Sequence, residues 1–431
     1  MSIPRPLPRV AAFEKLGFGL FLHWGLYSQM GEGEWIQAYK RIAPAEYGKL
    51  METFTAGEFD GERIADLARR AGMRYIVLTT RHHEGFSLYD TKGLSTFDSP
   101  HSPAGRDLAA EFVEGCRKHD ILPFFYHTTI DWHWRSAGLD PEGREFLDYT
   151  RNASEEIFAE YLDYLHASVE LLCRNYGPVG GFWFDGNWAR PGDDWKEDRL
   201  YGMIRKYQPD AIIVNNTGLQ ALGKTGHREL DSVTYENNAA KPMDREGMEK
   251  YVAAEVCRTM NAHWGRGDED INYLSPAQVV EQLCHSRGCG ANFLLNVGPT
   301  AQGGIPNYEK AVLELAGHWV GRFGEALYEP RPVPELRCQG RDFLLRKGKE
   351  LYYFAFDLGI RGLVNVTAAL QGPGLRTVDG LEERIRECRW LDNGEVLDFT
   401  QDTTRKIAAL RCTGFPYGHH TAVRVAKITL E

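Results

Sequence analysis

Two acidic side chains stand where apolar runs stop. The run GGFWFDGNW, from Gly180 to Trp188, ends on Asp185 and turns away through Gly186, and the shorter run from Ser232 to Tyr235 ends on Glu236. Side chains alternate faces along a strand, so Trp183 and Asp185 share one face while Phe182 and Phe184 share the other. A lone Asp-Gly pair reads as a turn. Other apolar runs, however, also stop on chemically useful groups: His23 after LGFGLFL, His82 and His83 after YIVLTT, Asp131 after ILPFFYHTT, and Asn296 near the end of ANFLLNV. Two carboxylates among imidazoles and indoles suit cleavage of a glycosidic bond, where one attacks the anomeric carbon and the other protonates the leaving oxygen. The histidines and Glu34 can hydrogen-bond sugar hydroxyls, and Trp35, Trp183 or Trp264 can stack on the apolar face of a pyranose. On a regular strand the adjacent His82 and His83 would face opposite sides.

The elements that must hold these groups alternate along the chain. Strands are expected at 16–22, 75–80, 121–129, 181–185, 211–215, 232–236 and 291–297. Helical spacing appears between them: Ile64, Leu67 and Ala68 after a cap at Asp60 and before a stop at Gly72; Leu108, Phe112 and Cys116; and Leu162, Leu165, Val169 and Leu172 in a helix starting near Asn152. Further helices carry Leu200, Met203 and Ile204, then Ser275-Pro276-Ala277-Gln278 as a capping box closed by Gly288, then Val312, Leu315 and Trp319. Alternation on this scale predicts an α/β chain with a parallel sheet closed into a (β/α)8-type, TIM-like barrel over residues 1–330, with the site at the carboxyl ends of the strands. Past the proline-rich stretch from Glu329 to Pro334, short alternating runs such as 350–356, 363–366 and 421–430 predict a small C-terminal antiparallel β-sandwich over 331–431.

Composition narrows the partners. The 431 residues carry a formal net charge of −10 without a basic block, so neither nucleic acid nor an anionic membrane surface is an expected partner. No secretory leader or bilayer-length apolar run is visible, and the expectation is a cytoplasmic enzyme. The eight cysteines include no CxxC pair and are read as reduced thiols. GFGLFL lacks the third glycine of a dinucleotide loop and HExxH is absent, so no cofactor and no metal are expected. A homo-oligomer is compatible with these properties.

The segments FGLFLHWGLYS, GEW, AGMRYIVLTTRHHEGF, FYHTTIDWH, GFWFDGNW, CRTMNAHWG and GANFLLNVGPTAQGGIP, in that order from about residue 16 to 328, resemble the signature blocks of the α-L-fucosidases of glycoside hydrolase family 29. The resemblance implies a retaining exo-hydrolase that releases terminal α-linked L-fucose through a covalent glycosyl-enzyme without a metal. It assigns Asp185 as nucleophile and His23, Glu34, Trp35, His82 and His83 to the sugar. Tyr126 or His127 falls where the family has paired tyrosines. Two positions compete for the general acid/base: Glu236, favoured because a glutamate at a strand's carboxyl end can face the sugar, and Glu255, which aligns with a glutamate that follows tryptophan in relatives. Ala254 stands in place of that tryptophan, which predicts a missing aromatic wall. Two other readings are a fucose-binding homologue without catalysis and a metal-dependent hydrolase using His23, His82 and Asp185 as ligands.

Overall fold

The computed structural model describes residues 2–134, 153–216, 218, 221–361 and 374–431. Eight parallel strands close into a barrel in chain order. They are β1 (Phe18–Leu22), β2 (Tyr75–Arg81), β3 (Leu122–Thr128), β4 (Gly181–Asp185), β5 (Ile212–Asn216), β6 (Ser232–Glu236), β7 (Ala253–Arg258) and β8 (Asn292–Val297), with β8 pairing back onto β1. The expected strands fall within two residues of seven of these. The eighth, β7, is absent from the runs that the sequence picks out. Its composition, AAEVCR, is poor in β-branched and aromatic residues and places Glu255 at its centre.

Strand parity builds two cores. Phe21, Tyr75, Val77, Phe124, Tyr126, Trp183, Ile212, Val214, Ala253 and Leu294 fill the barrel. The alternate residues, among them Phe182, Phe184, Ile213, Val233 and Ala254, pack outward against the helices. Gly19 leaves room for the Tyr75 ring, which lies 2.4 Å from where a Cβ would sit. A short helix, Pro8–Glu14, closes the barrel at the amino ends of the strands, where Phe13 meets Tyr75 and Phe124 at centroid separations of 5.8 and 5.9 Å. The opposite mouth is left for chemistry.

The helices are Gly61–Arg70, Leu108–Lys118, Glu155–Asn175, Glu197–Tyr207, Pro276–Gly288 and Asn307–Phe323. Asp60, Asp107 and Ser154 cap the first three through side-chain oxygens, and Ser275 and Gln278 form the expected capping box. The third helix therefore starts at Glu155; Asn152 lies outside the described residues. Leu315 departs from the expected buried face and is 49% exposed, because Val312, Leu313, Ala316, Trp319 and Val320 make the inward stripe.

Beyond the barrel, two antiparallel sheets share one core. The five-stranded sheet orders β14-β17-β12-β11-β9 and the four-stranded sheet β10-β13-β16-β15. The strands are β9 (Arg331–Pro332), β10 (Arg337–Cys338), β11 (Phe343–Lys347), β12 (Glu350–Ala355), β13 (Gly374–Asp379), β14 (Ile385–Trp390), β15 (Phe399–Asp402), β16 (Ile407–Cys412) and β17 (Arg424–Leu430). Leu351, Val378, Trp390, Leu410 and Ile428 fill the space between the sheets. The run expected at 363–366 lies outside the described residues. Trp319 on the last barrel helix donates through Nε1 to the Val423 carbonyl at 2.7 Å, tying the two parts together. All eight cysteines are free thiols. Among the described residues no helix is long and apolar enough to cross a membrane.

The helices flanking β2 meet backbone to backbone. A Cβ on Gly115 would lie 2.3 Å from the Gly61 carbonyl carbon, and one on Gly61 would lie 2.5 Å from the Glu111 oxygen. Gly115→Ala is therefore expected to lower stability by about 1–3 kcal/mol, through overpacking at a contact with no side chain to yield. The check is the denaturant midpoint at unchanged m-value.

Candidate active site

The mouth at the carboxyl ends of the strands holds a cavity of about 420 Å³, lined by Phe21, His23, Trp35, His82, His83, Tyr126, Trp183, Asp185, Trp188, Asn216, Glu236 and Trp264 among others. Parity puts most of them there. Trp183 and Asp185 continue the inward face of β4, Tyr126 that of β3, and Asn216 that of β5 after Ile212 and Val214. His82 and His83 both reach the cavity, against the expectation of opposite faces. The register between β2 and β3 slips between Thr79 and Arg81, so the chain leaves regular strand geometry just before the pair. Their rings lie 4.3 Å apart.

Asp185 collects donors from four directions. Tyr126 Oη donates to Oδ2 at 3.1 Å and His83 Nε2 lies 3.4 Å from the same oxygen. Trp188 Nε1 donates to Oδ1 at 2.9 Å, and Asn216 Nδ2 approaches that oxygen at 3.4 Å. Burial by itself pushes this carboxyl up, but the contacts from His83, Trp188 and Tyr126 outweigh it and hold Asp185 below the usual carboxylate range. Glu236 goes the other way. Burial, then the neighbouring charge of Asp185, raises it above the usual glutamate range, although Asn216 donates to its Oε2 at 2.8 Å. One amide nitrogen shared by both carboxylates keeps their nearest oxygens within about 6 Å of each other.

The imidazoles are oriented from behind. Asn296 Nδ2 donates to the Trp264 carbonyl at 2.7 Å, which turns Asn296 Oδ1 toward His23 Nδ1, also at 2.7 Å. His23 Nδ1 must then carry the proton, leaving Nε2 as an acceptor. Burial lowers the His23 pKa to about 3 and also depresses His82, so both stay neutral. His83 Nδ1 sits 2.7 Å from Thr128 Oγ1. Trp35 and Trp188 form an indole rim, with centroids 5.7 Å apart.

Several expected site residues lie elsewhere. His127 is fully buried on the helix-facing side of β3, with Nδ1 3.0 Å from Thr80 Oγ1, because its parity is opposite to that of Tyr126. Tyr126 is the residue of the two that faces the cavity. Glu255 lies one layer below it, inside the barrel. It accepts from Tyr75 Oη at 2.5 Å and from Trp183 Nε1 at 2.9 Å, and burial raises its pKa to about 7. Its place is under the Trp183 ring rather than beside Asp185. Glu34 does not line the cavity; its Oε2 accepts from the backbone N–H groups of Trp264 and Gly265 at 3.0 and 2.8 Å and so fixes the Trp264 loop. Asp131 caps its own loop through the N–H groups of His133 and Trp134. Ala254 faces the helix layer, so the substitution there removes nothing from the cavity. Among the described residues no group of three or more His, Cys, Asp or Glu side chains could hold a metal ion.

Phe21, Trp188 and Asn216 are cavity residues that the sequence reading did not single out. Asn216 was hidden by a boundary: the apolar run AIIVN stops at Asn215, whose side chain turns outward and donates to Tyr201 Oη at 2.9 Å.

The sequence profile of the family described as Alpha-L-fucosidase matches residues 5–325, three quarters of the chain and the whole barrel. The chain belongs to the α-L-fucosidases of glycoside hydrolase family 29. It is a glycoside hydrolase acting on α-L-fucosides. The rat tissue α-L-fucosidase is 29% identical over 351 residues, covering 76% of this chain and 71% of that one. Similarity extends past the barrel in α-L-fucosidase isoenzyme 1 from Paenibacillus thiaminolyticus, which is 30% identical with a TM-score of 0.82 over 98% of this chain and 99% of that one. A family 29 α-L-fucosidase from Bacteroides thetaiotaomicron shares the fold at 22% identity, with a TM-score of 0.80 over 100% of this chain and 98% of that one. It was solved as a trapped covalent intermediate with 2-fluoro-fucosyl fluoride.

In this fucosidase the Trp188 N–H stabilises the charged form of Asp185. Trp188→Phe keeps the ring but removes the donor, so the Asp185 pKa should rise. The acid limb of the kcat/KM–pH profile is expected to move upward by as much as about one unit. A profile titrated on an aryl α-L-fucoside checks this.

Proposed function

We propose that this fucosidase releases terminal α-L-fucosyl residues with retention, by double displacement, with Asp185 as nucleophile and Glu236 as general acid/base. The observation that carries the reading is the opposite displacement of two neighbouring carboxyl groups in one cavity, the proton affinity of Asp185 lowered by its donors and that of Glu236 raised by burial and by the charge of Asp185. Their nearest oxygens, held within about 6 Å of each other by the shared Asn216 amide, are compatible with the roughly 5–5.5 Å of retaining pairs. The covalent intermediate trapped in the Bacteroides thetaiotaomicron relative supports extending the same route to this chain.

In the first step an Asp185 oxygen bonds to C1 while the C1–O bond breaks. The departing oxygen keeps the electron pair and takes the Glu236 proton. In the second step Glu236, now a carboxylate, takes a proton from water as the water oxygen attacks C1 and Asp185 leaves with its electrons. His23, held from behind by Asn296, and His82 are neutral and offer lone pairs to sugar hydroxyls, and the indoles of Trp35, Trp183, Trp188 and Trp264 enclose a ring the size of one pyranose. A cavity of about 420 Å³ walled by Trp35, Trp188 and Trp264 is in keeping with an exo mode, in which one terminal sugar fills the site.

A non-catalytic sugar-binding role gains no support from the site. A pure binder has no use for two neighbouring carboxyl groups whose proton affinities are driven in opposite directions.

Asp185→Ala is expected to lower kcat by at least about 10³-fold without unfolding the chain, with partial rescue by azide giving a fucosyl azide. Glu236→Ala should lose far more activity on poor leaving groups than on activated aryl fucosides. Proton NMR of the first-formed sugar should show the α-anomer of L-fucose; initial release of the β-anomer would overturn the retaining mechanism. The wild-type pH profile is expected to be a bell. Activity falls at low pH as Asp185 is protonated, at a pH below the ordinary carboxylate range, and falls at high pH as Glu236 ionises, above the ordinary glutamate value.

A further inference from the structure

The Asn216 side chain touches both reacting carboxylates and nothing in the sequence reading assigns it. Its amide has two donors and one acceptor oxygen. One N–H points to Glu236 Oε2 at 2.8 Å, and the same nitrogen lies 3.4 Å from Asp185 Oδ1. The oxygen accepts from Thr234 Oγ1 at 2.9 Å. This orientation is over-determined. A flipped amide would aim its oxygen at the Asp185 carboxylate and would lose the acceptor that Thr234 Oγ1 donates to. The backbone supports it too: Asn216 pairs with Asp185 across β4 and β5, and Thr234 lies two residues before Glu236 on the inward face of β6.

We propose that Asn216, locked by Thr234, is a positioning residue that couples the two catalytic carboxylates and receives the negative charge appearing on Glu236 as its proton passes to the leaving oxygen. The inference rests on the roles given above to Asp185 and Glu236. During fucosyl transfer charge leaves Asp185 as its oxygen bonds to C1 and appears on Glu236 as the proton departs. An N–H donor fixed between the two stabilises the second while the first is consumed, with no reorganisation of solvent. The shorter contact is to the group that gains charge. The other groups facing the pair are His83, Tyr126, Trp188 and His23 around Asp185, and Trp264, Glu34, Cys257 and Tyr126 around Glu236. Tyr126 is near both but is hydrogen-bonded to Asp185 alone, whereas the Asn216 amide reaches an oxygen of each.

Two variants test the proposal. Asn216→Ala removes the donor from the ionised form of Glu236, so the alkaline limb of kcat/KM should rise by about 0.5–1 pH unit, with a smaller rise of the acid limb. The loss in kcat/KM should be about 10- to 100-fold on fucosides with alkyl or sugar leaving groups and markedly less on activated aryl fucosides, which need little proton donation. Thr234→Val frees the amide to turn and should show the same pattern more weakly, while Thr234→Ser restores the wild-type profile. If Asn216→Ala does not fold, the Thr234 pair decides. Equal losses on both substrate classes with unmoved limbs, or a loss confined to KM, would overturn the proposal. The wider assignment fails separately: Glu236→Ala without leaving-group dependence removes Glu236 as the acid, whereas a leaving-group-dependent Glu236→Ala with an unresponsive Asn216→Ala removes only the coupling role.

Discussion

A carboxylate kept charged inside a protein is the constraint on which the rest of this site depends. Asp185 has only 15% of its side chain exposed, and desolvation alone would neutralise it. Donors from the end of β2, from β3, from the turn after β4 and from β5 converge on its two oxygens and reverse that outcome. Those donors lie far apart in the chain and come together because β2, β3, β4 and β5 are successive neighbours in the sheet. Closure of the barrel, through β8 onto β1, adds the opposite wall, where His23 and Trp264 face the cavity and narrow the approach of water to the carboxylate.

The same burial acts on Glu236 with the opposite result, and the difference lies in how many donors each carboxylate is given. Asp185 has several; Glu236 has the Asn216 amide and the Trp264 side chain and faces a negative neighbour. Two carboxyl groups in one cavity are thereby driven apart in proton affinity, as acid/base catalysis near neutral pH needs. Glu255 marks the limit of reading function from a shifted pKa. It is as buried as either, is raised to about 7, and has both oxygens engaged by Tyr75 and Trp183 beneath the cavity floor. Access to the sugar, not the shift, separates an acid/base from a structural glutamate.

Behind the residues that line the cavity stands a layer whose work is orientation. Asn296 sets the His23 tautomer and holds the Trp264 carbonyl, Glu34 holds the Trp264 and Gly265 amides, Thr128 backs His83 and Thr234 backs Asn216. Glu84 does similar work for the loop after β1, accepting from the Leu26 and Tyr27 amides and from Tyr47. These contacts cost rotamer freedom at folding rather than at the moment of reaction, which is how a preorganised site gains its rate.

The amino-acid sequence alone determined the class of fold and most of the chemistry, because both leave local signatures. Apolar runs alternating with helical spacing announce a parallel sheet, and polar residues at the ends of those runs announce where its site lies; the blocks around His23, His82, Asp185 and Asn296 carry the family resemblance. What the sequence could not decide depended on parity and register. Tyr126 and His127 are neighbours that differ only in which face of β3 they occupy, and a strand end in β6 against a strand middle in β7 is what puts Glu236 in the cavity and Glu255 beneath it. β7 itself went unread because its pairing partners, not its own composition, make it a strand. His82 and His83 share the cavity through a register slip against β3, and Asn216 entered it by one residue of strand length. Each of these is a relation between segments distant in the chain, and hydrogen bonds between strands, which local periodicity does not encode, are what fixed them.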